Sequence, residues 1–247
     1  MSFKKWRFSL LISLFVLLIT TLGYAGPPFN TDDPEPVNFK HWEYYIASIN
    51  TFQRNEWMGT APHVEVNYGL VPNVQVHLLL PMNYSYIRHE GTNFGYGYTE
   101  LGMKYRFVQE SDDRPQIGVF PIVEVPTVKN QEFSNGRTQV YIPLWIQKSW
   151  RKLTTYGGVG YWINPGDGNK NWLFAGWEVQ YDFSPTITLG GELYYHTANT
   201  VIGQSSTAFN VGGSINFSST THFIFSVGHS LDNDSFTSSY VGLLWTI

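Results

Sequence analysis

Charged side chains recur at alternate positions along several extended segments of the chain, each between large apolar neighbours. Glu178, for example, lies between Trp177 and Val179. Because successive side chains of a strand point to opposite faces, such residues line one face of a sheet. Charges on the inner wall of a narrow tube create a field that orients small polar solutes, as in selective channels. The candidate lumen-lining residues are Glu65, His77, Glu100, Lys104, Arg106, Glu124, Glu178 and Glu192.

The same charges could instead pair with one another and block the interior. Lys104 and Arg106 share a face with Glu100, and we expect salt bridges among them. A barrel of about twelve strands favours a narrow or partly plugged lumen over an open one.

A second group of acids lies in the proline-rich segment 26–37, which has the sequence GPPFNTDDPEPV. Its prolines prevent helix formation and most ladder pairing, so we expect an extended arm. Asp32, Asp33 and Glu35 could fold into the mouth of a barrel and pair with inward cations, acting as a plug. Alternatively, the arm is a disordered leader.

The sequence gives weaker evidence for catalysis and for metal binding. His229 and Ser230 are adjacent, so on a strand they point to opposite faces and would not share a hydrolase site. The loops 164–169 and 232–234 contain oxygen ligands suited to Ca²⁺, but their residues are also ordinary turn residues. His63 and His77 make only a weak metal pair. We therefore predict no enzyme activity, no cofactor and no metal.

The first 25 residues are typical of a secretory signal peptide. Cations at Lys4, Lys5 and Arg7 precede an apolar run over residues 8–22, and Gly23-Tyr24-Ala25 supplies the small residues that a signal peptidase requires. Cleavage would leave Gly26 first and make the formal charge of −4 more negative by three. An acidic exported chain is not expected to bind nucleic acid. The predicted organisation is a signal peptide over 1–25, an arm over 26–40 and a barrel over 41–247.

The remaining chain divides into about twelve strand-like segments and contains no second apolar run long enough to span a membrane as a helix. Short and long connections alternate, as expected when every second turn faces the same side of a membrane. The short connections 54–56 and 231–235 depart from this pattern. We predict an all-β fold, a closed antiparallel transmembrane β-barrel with both termini on the periplasmic side. The segments are 41–53, 57–68, 74–87, 95–109, 116–127, 137–148, 153–163, 171–182, 186–197, 207–217, 221–230 and 236–247.

Residue types on the two faces distinguish a membrane barrel from a soluble β protein, the main alternative. One face collects aliphatic residues in mid-segment and aromatic residues at segment ends, as a lipid-facing wall requires. The other face collects Glu, Asn, Gln and Gly. A composition of 43% hydrophobic, 17% aromatic and 14% charged residues, without cysteine, agrees with this arrangement.

The last strand resembles the C-terminal recognition strand of outer-membrane barrels in the spacing of Tyr240, Gly242, Trp245 and Ile247. Ile247 replaces the usual terminal aromatic residue. This resemblance implies the barrel-assembly machinery and outer-membrane lipid as partners.

The stretch 25–45, with Gly26-Pro27-Pro28-Phe29, Thr31-Asp32-Asp33-Pro34 and His41-Trp42-Glu43, resembles the start of a family of exported proteins named for the MetA pathway of phenol degradation. The resemblance implies an outer-membrane barrel that transports small compounds, aromatic compounds among them. Passive passage or binding of such solutes is the predicted function. The alternatives are a structural or surface-interaction barrel with a plugged lumen and, more remotely, a lipid hydrolase.

Overall fold

The computed structural model describes residues 26–127, 133–232 and 235–247. The expected signal peptide, part of the loop 128–136, and Asn233 and Asp234 of one candidate calcium loop lie outside these residues. Among the described residues, no helix has the length and apolar character needed to cross a membrane. Their strands are β1 (Trp42–Phe52), β2 (Glu56–Val71), β3 (Val74–Ile87), β4 (Gly91–Tyr96), β5 (Tyr98–Val108), β6 (Gln116–Val119), β7 (Ile122–Pro126), β8 (Gln139–Trp150), β9 (Leu153–Ile163), β10 (Trp172–Asp182), β11 (Ile187–His196), β12 (Ser206–Asn216), β13 (Thr221–Ser230) and β14 (Thr237–Thr246).

The strands form one antiparallel sheet that closes on itself. Strand β1 pairs with β14, and β3 pairs with β2 on one side and with β4 and β5 on the other. Strands β4 and β5 form a single row interrupted at Gly97, and β6 and β7 form another row interrupted at Phe120 and Pro121. Pro121 has no N–H to donate to a ladder, which accounts for the second break. The fourteen strands therefore make twelve rows, and the predicted closed twelve-stranded barrel is confirmed.

The two ends of the barrel differ in their connections. We call the end that carries Trp42 and Ile247 the terminal rim and the opposite end the loop rim. Connections at the terminal rim are mostly short, whereas the loop rim carries the longer segments 127–138, 164–171 and 197–205. Only three of the six loop-rim connections between the described strands are long, so the predicted alternation holds in part. The connection expected at 88–94 is shorter, because β4 begins at Gly91 and extends the ladder of β3.

Apolar side chains cover the outside of the barrel. Outward-pointing side chains in mid-strand are partly exposed. Five of them are 46–53% exposed, namely Leu101, Val179, Leu193, Val211 and Val241. Inward neighbours such as Glu178, Gln147 and Asn210 are almost completely buried. A wall with aliphatic groups outside and polar groups inside is the reverse of a soluble barrel and suits contact with acyl chains.

The inner wall is less uniformly polar than the sequence predicts. One buried cluster contains Phe120, Tyr141, Trp145, Phe174 and Tyr194. A second cluster lies where β1, β13 and β14 meet and is formed by Tyr45, Ala47, Ile224, Tyr240 and Leu244. The expectation of a lumen lined mainly by Glu, Asn, Gln and Gly is therefore corrected. The interior also contains packed aromatic side chains.

Candidate functional site

The proline-rich arm lies inside the barrel. It enters at the terminal rim, where the Lys40 N–H donates to the Gly69 carbonyl at 2.7 Å. Further in, the Val37 N–H donates to Oε1 of Gln75 at 2.9 Å. Thr31 and Asp33 are completely buried. Residues 26–37 belong to none of the strands, so the arm is held mainly by individual contacts with side chains of the wall.

Lys104 joins the wall to the arm. Its Nζ lies 3.0 Å from Oδ1 of Asp32 and 3.3 Å from Oδ2 of Asp33. The same Nζ is 5.1 Å from the centre of the Phe120 ring, in a cation–π position. Burial raises the pKa of the Asp33 carboxyl well above its ordinary value, and the charge of Lys104 opposes this shift. The predicted pairing of Lys104 with Glu100 is wrong, because the arm supplies the counter-charges.

Glu35 makes a second set of contacts nearer the terminal rim. Arg106 Nη1 lies 3.7 Å from Oε1 of Glu35. The amides of Gln116 and Gln147 each donate to Glu35 Oε2 at 3.1 Å. Arg106 therefore also contacts the arm, and its predicted pairing with Glu100 is wrong. Asp32, Asp33 and Glu35 thus lie inside the barrel against two cations of the wall, and their role as a plug stays a prediction.

Glu192 binds the inner part of the arm through backbone groups. The N–H groups of Asn30 and Thr31 donate to its two carboxylate oxygens at 2.8 and 2.7 Å. The side-chain amide of Asn210 donates to Oε1 of Glu192 at 2.5 Å. Gly176 provides the space beside Thr31, since a Cβ at position 176 would overlap Thr31 Oγ1. These contacts fix the arm against β10, β11 and β12.

Glu178 is set apart from the other acids. It is 0% exposed, and neither carboxylate oxygen has a hydrogen-bond partner of good geometry. The Tyr156 hydroxyl interacts with it, and so do the charges of Glu192 and Asp33. Burying a carboxylate without a counter-charge is costly, so Glu178 either takes up a proton or gains a cation nearby.

The other predicted lumen residues form a separate network on β2, β3, β5 and β7. His77 Nδ1 lies 3.5 Å from Glu65 Oε1, and His77 Nε2 lies 3.8 Å from Glu100 Oε2. Glu100 and Glu124 are directly opposite each other in the β5–β7 ladder. Asn67 hydrogen bonds to both Glu65 and His77. The eight predicted residues thus all face the interior but divide into an arm-binding group, a wall network and the isolated Glu178.

Cavities lie on both sides of the arm. At the loop rim, a cavity of about 830 Å³ has residues 27–30 of the arm in its lining. A neighbouring cavity of about 560 Å³ is lined by His63, Glu100 and Glu124. At the terminal rim, a cavity of about 330 Å³ is lined by Glu35 and Arg106. The arm therefore lies between two open chambers.

An aromatic row lines the larger chamber at the loop rim. Tyr141 and Trp162 stack at 4.7 Å between ring centres, and Trp162 and Trp172 stack at 5.4 Å. Trp172 meets His196 edge to face at 5.8 Å. These rings lie on four consecutive strands, β8 to β11. Sequence reasoning did not identify the row.

The remaining candidates have simple structural partners. His229 is exposed and contacts Thr237, whereas Ser230 is buried and bonds the Phe236 N–H, so the two side chains face opposite sides. Asn164 bonds Asn169 and Asn171 within the first candidate calcium loop. Among the described ranges, no three acidic or histidine side chains are placed to hold a metal ion.

The C-terminal strand β14 lies between β13 and β1. Tyr240 and Gly242 face inward, whereas Trp245 and Ile247 belong to the outward-facing series of the strand. The strand thus closes the barrel against the first strand and presents its apolar face to the surroundings.

Fold and surface together define a β-barrel of the outer-membrane class. Solved structures agree with this class. An outer membrane channel from Pseudomonas putida F1 superposes with a TM-score of 0.68 at 14% identity, covering 87% of this chain and 98% of the other. The KdgM porin gives 0.56 at 13% identity, covering 81% and 98%. The NanC porin gives 0.56 at 9% identity, covering 82% and 98%. At such identities the likeness concerns the fold.

No family model matches the chain, and no curated protein matches it. The resemblance to the MetA-pathway family therefore stays a prediction.

Proposed function

We propose that the protein is an outer-membrane channel for small solutes whose lumen is closed by its own N-terminal arm. In this proposal a signal peptide directs export and is cleaved after Ala25, and the terminal rim faces the periplasm. The outward aliphatic surface supports contact with outer-membrane lipid. Tyr240, Gly242, Trp245 and Ile247 supply the strand that the barrel-assembly machinery recognises.

The observation that carries the proposal is the arm between two chambers, held by polar contacts. Lys104, Arg106 and Glu192 bind it through ion pairs and hydrogen bonds, which water can replace. An arm that is held by such polar contacts can leave the lumen more readily than a segment that is paired as a strand of the sheet. Its departure would join the chamber at the loop rim to the chamber at the terminal rim.

The wall supports a channel for small solutes that carry polar groups, aromatic compounds included. Glu65, His77, Glu100 and Glu124 supply charge on one side of the lumen. Tyr141, Trp162 and Trp172 form an aromatic wall in the chamber at the loop rim. A solute entering from that side would meet ring edges and hydrogen-bonding groups before reaching the arm.

A barrel with a permanently blocked lumen is the second candidate. Complete burial of Thr31, Asp33 and Pro34 favours it, because a tightly packed arm resists displacement. In that case the protein would act through its surface. A lipid hydrolase has less support, because His229 and Ser230 face opposite sides.

Planar-bilayer conductance tests the channel proposal. Deleting residues 26–36 should produce larger and more frequent openings than in the unaltered protein. Heat-modifiable migration on gels and membrane fractionation establish that the shortened barrel still folds. Equal conductance of the two folded proteins would contradict closure by the arm.

A further inference from the structure

Gly26 lies inside the lumen among carboxylates. It is buried, and a Cβ built on it would lie 3.5 Å from Asp32 Oδ1 and 3.7 Å from Asp33 Oδ2. Its backbone interacts with the hydroxyl of Tyr156. The same hydroxyl interacts with Glu178. The inner end of the arm therefore touches an acidic pocket.

The acids around Gly26 exceed the cations that bind them. Asp32 and Asp33 share one partner, Lys104. Glu178 is completely buried and, unlike Asp32 and Asp33, forms no ion pair with a cation of the described residues. A buried carboxyl group without a counter-charge is stabilised either by taking up a proton or by a cation beside it, so the pocket can accept one more positive charge.

We propose that removal of the signal peptide supplies this charge, so that the α-ammonium of Gly26 binds in the pocket and completes the plug. This inference rests on the proposed closure by the arm. Hydrolysis of the Ala25–Gly26 amide adds one water, which leaves a carboxylate on Ala25 and, with the released proton, an ammonium on Gly26. An uncleaved chain has a neutral amide nitrogen at this position, so maturation and closure are coupled.

The first test measures the chemical reactivity of the amino terminus in folded protein purified from outer membranes. Intact mass should show a chain that begins at Gly26. With a water-soluble acetylating reagent at neutral pH, the Gly26 amine should react at least about tenfold more slowly than the ε-amines of exposed Lys40 and Lys152. In denaturant this order should reverse, because a free α-amine is the weaker base.

Two variants distinguish binding of the ammonium group by carboxylates from mere burial of the amine. Glu178→Gln removes one negative charge and should speed acetylation of Gly26, whereas Glu90→Gln, in an exposed turn, should not. Inserting two serines between Ala25 and Gly26 displaces the amine by up to about 7 Å and should also remove its protection. A different mature terminus, or a Gly26 amine as reactive in the folded protein as Lys152, would overturn the inference.

These results are independent of conductance. A protected Gly26 amine in a protein whose conductance is unchanged by deletion of residues 26–36 would retain the ammonium pocket and reject closure by the arm. A reactive Gly26 amine together with increased conductance after the deletion would reject the ammonium pocket and retain closure by the arm.

Discussion

Lys104 Nζ, on the barrel wall, lies 3.0 Å from Oδ1 of Asp32, which is 72 residues earlier in the N-terminal arm. The pair connects a segment without strand pairing to the fifth strand. It is buried on the lysine side, where the side chain is 6% exposed. The proposed channel predicts that this connection helps to keep the arm in the lumen.

Lys104→Met should release the arm. The substitution keeps an unbranched side chain of similar length but leaves Asp33 buried without its counter-charge, a change that typically costs about 3–5 kcal/mol. In the proposed channel the arm leaves while the barrel stays folded, so we expect higher conductance and faster proteolysis near residue 30. Lys152→Met, in an exposed turn, is the matched control and should leave both unchanged. A closed, protease-resistant Lys104→Met barrel would show that the pair does not hold the arm.

Gly176→Ala should displace the arm without changing any charge. The added Cβ would overlap Oγ1 of Thr31. Conductance should rise in the single variant and return toward that of the unaltered protein in Gly176→Ala/Thr31→Ala, where the overlapping oxygen is absent. Gly191→Ala, where the nearest atom is 3.3 Å from the added Cβ, serves as control. Equal effects of the single and double variants would reject direct contact between the two positions.

Val179→Lys should destabilise the barrel because Val179 points outward in mid-strand and is 46% exposed. A lysine at membrane depth on the lipid face costs about 2–4 kcal/mol. Val201→Lys, in a connection at the loop rim where Val201 is 65% exposed, should have little effect. Denaturant titration in lipid vesicles measures both. Equal stability of the two variants would argue against a lipid-facing wall at Val179.

Trp162→Leu should loosen the aromatic row. Trp162 stacks on Tyr141 and Trp172, and each aromatic pair contributes about 0.5–1.5 kcal/mol beyond burial. We expect a lower melting temperature and a weaker near-ultraviolet circular dichroism signal. Trp150→Leu, at the terminal rim and 53% exposed, should change the signal less. An unchanged spectrum after Trp162→Leu would show that the stacked row does not persist in solution.

The barrel could be predicted from the sequence because its determinants are local. Alternation along a strand fixes which side chains share a face, and Leu101 and Val179 follow that rule. The one misplaced connection, at 88–94, contains Gly and Asn and has the composition of a loop. Pairing with β3 nevertheless extends the sheet from Gly91, and such pairing depends on a partner far along the chain.

The contacts of the site were less predictable because the residues that form them are distant from one another in the sequence. Nothing near Lys104 indicates that Asp32 rather than Glu100 will bind it. On the strand, Glu100 and Lys104 share a face, but the arm brings two carboxylates to the ammonium group at hydrogen-bond distance. Glu192 was predicted as a lumen residue, yet its role as an acceptor for Asn30 and Thr31 depends on the folded path of the arm.

Single-channel conductance of Thr31→Cys/Gly176→Cys under oxidising and reducing conditions tests closure by the arm most directly. The natural chain has no cysteine, so the only disulfide would join the arm to β10. We predict that the disulfide forms in the folded protein and that the oxidised channel does not open. Reduction should give larger openings than in the unaltered protein, because the unlinked side chain at position 176 displaces the arm as it does in Gly176→Ala. Two free thiols in the folded barrel, or openings that persist with the disulfide intact, would contradict the account.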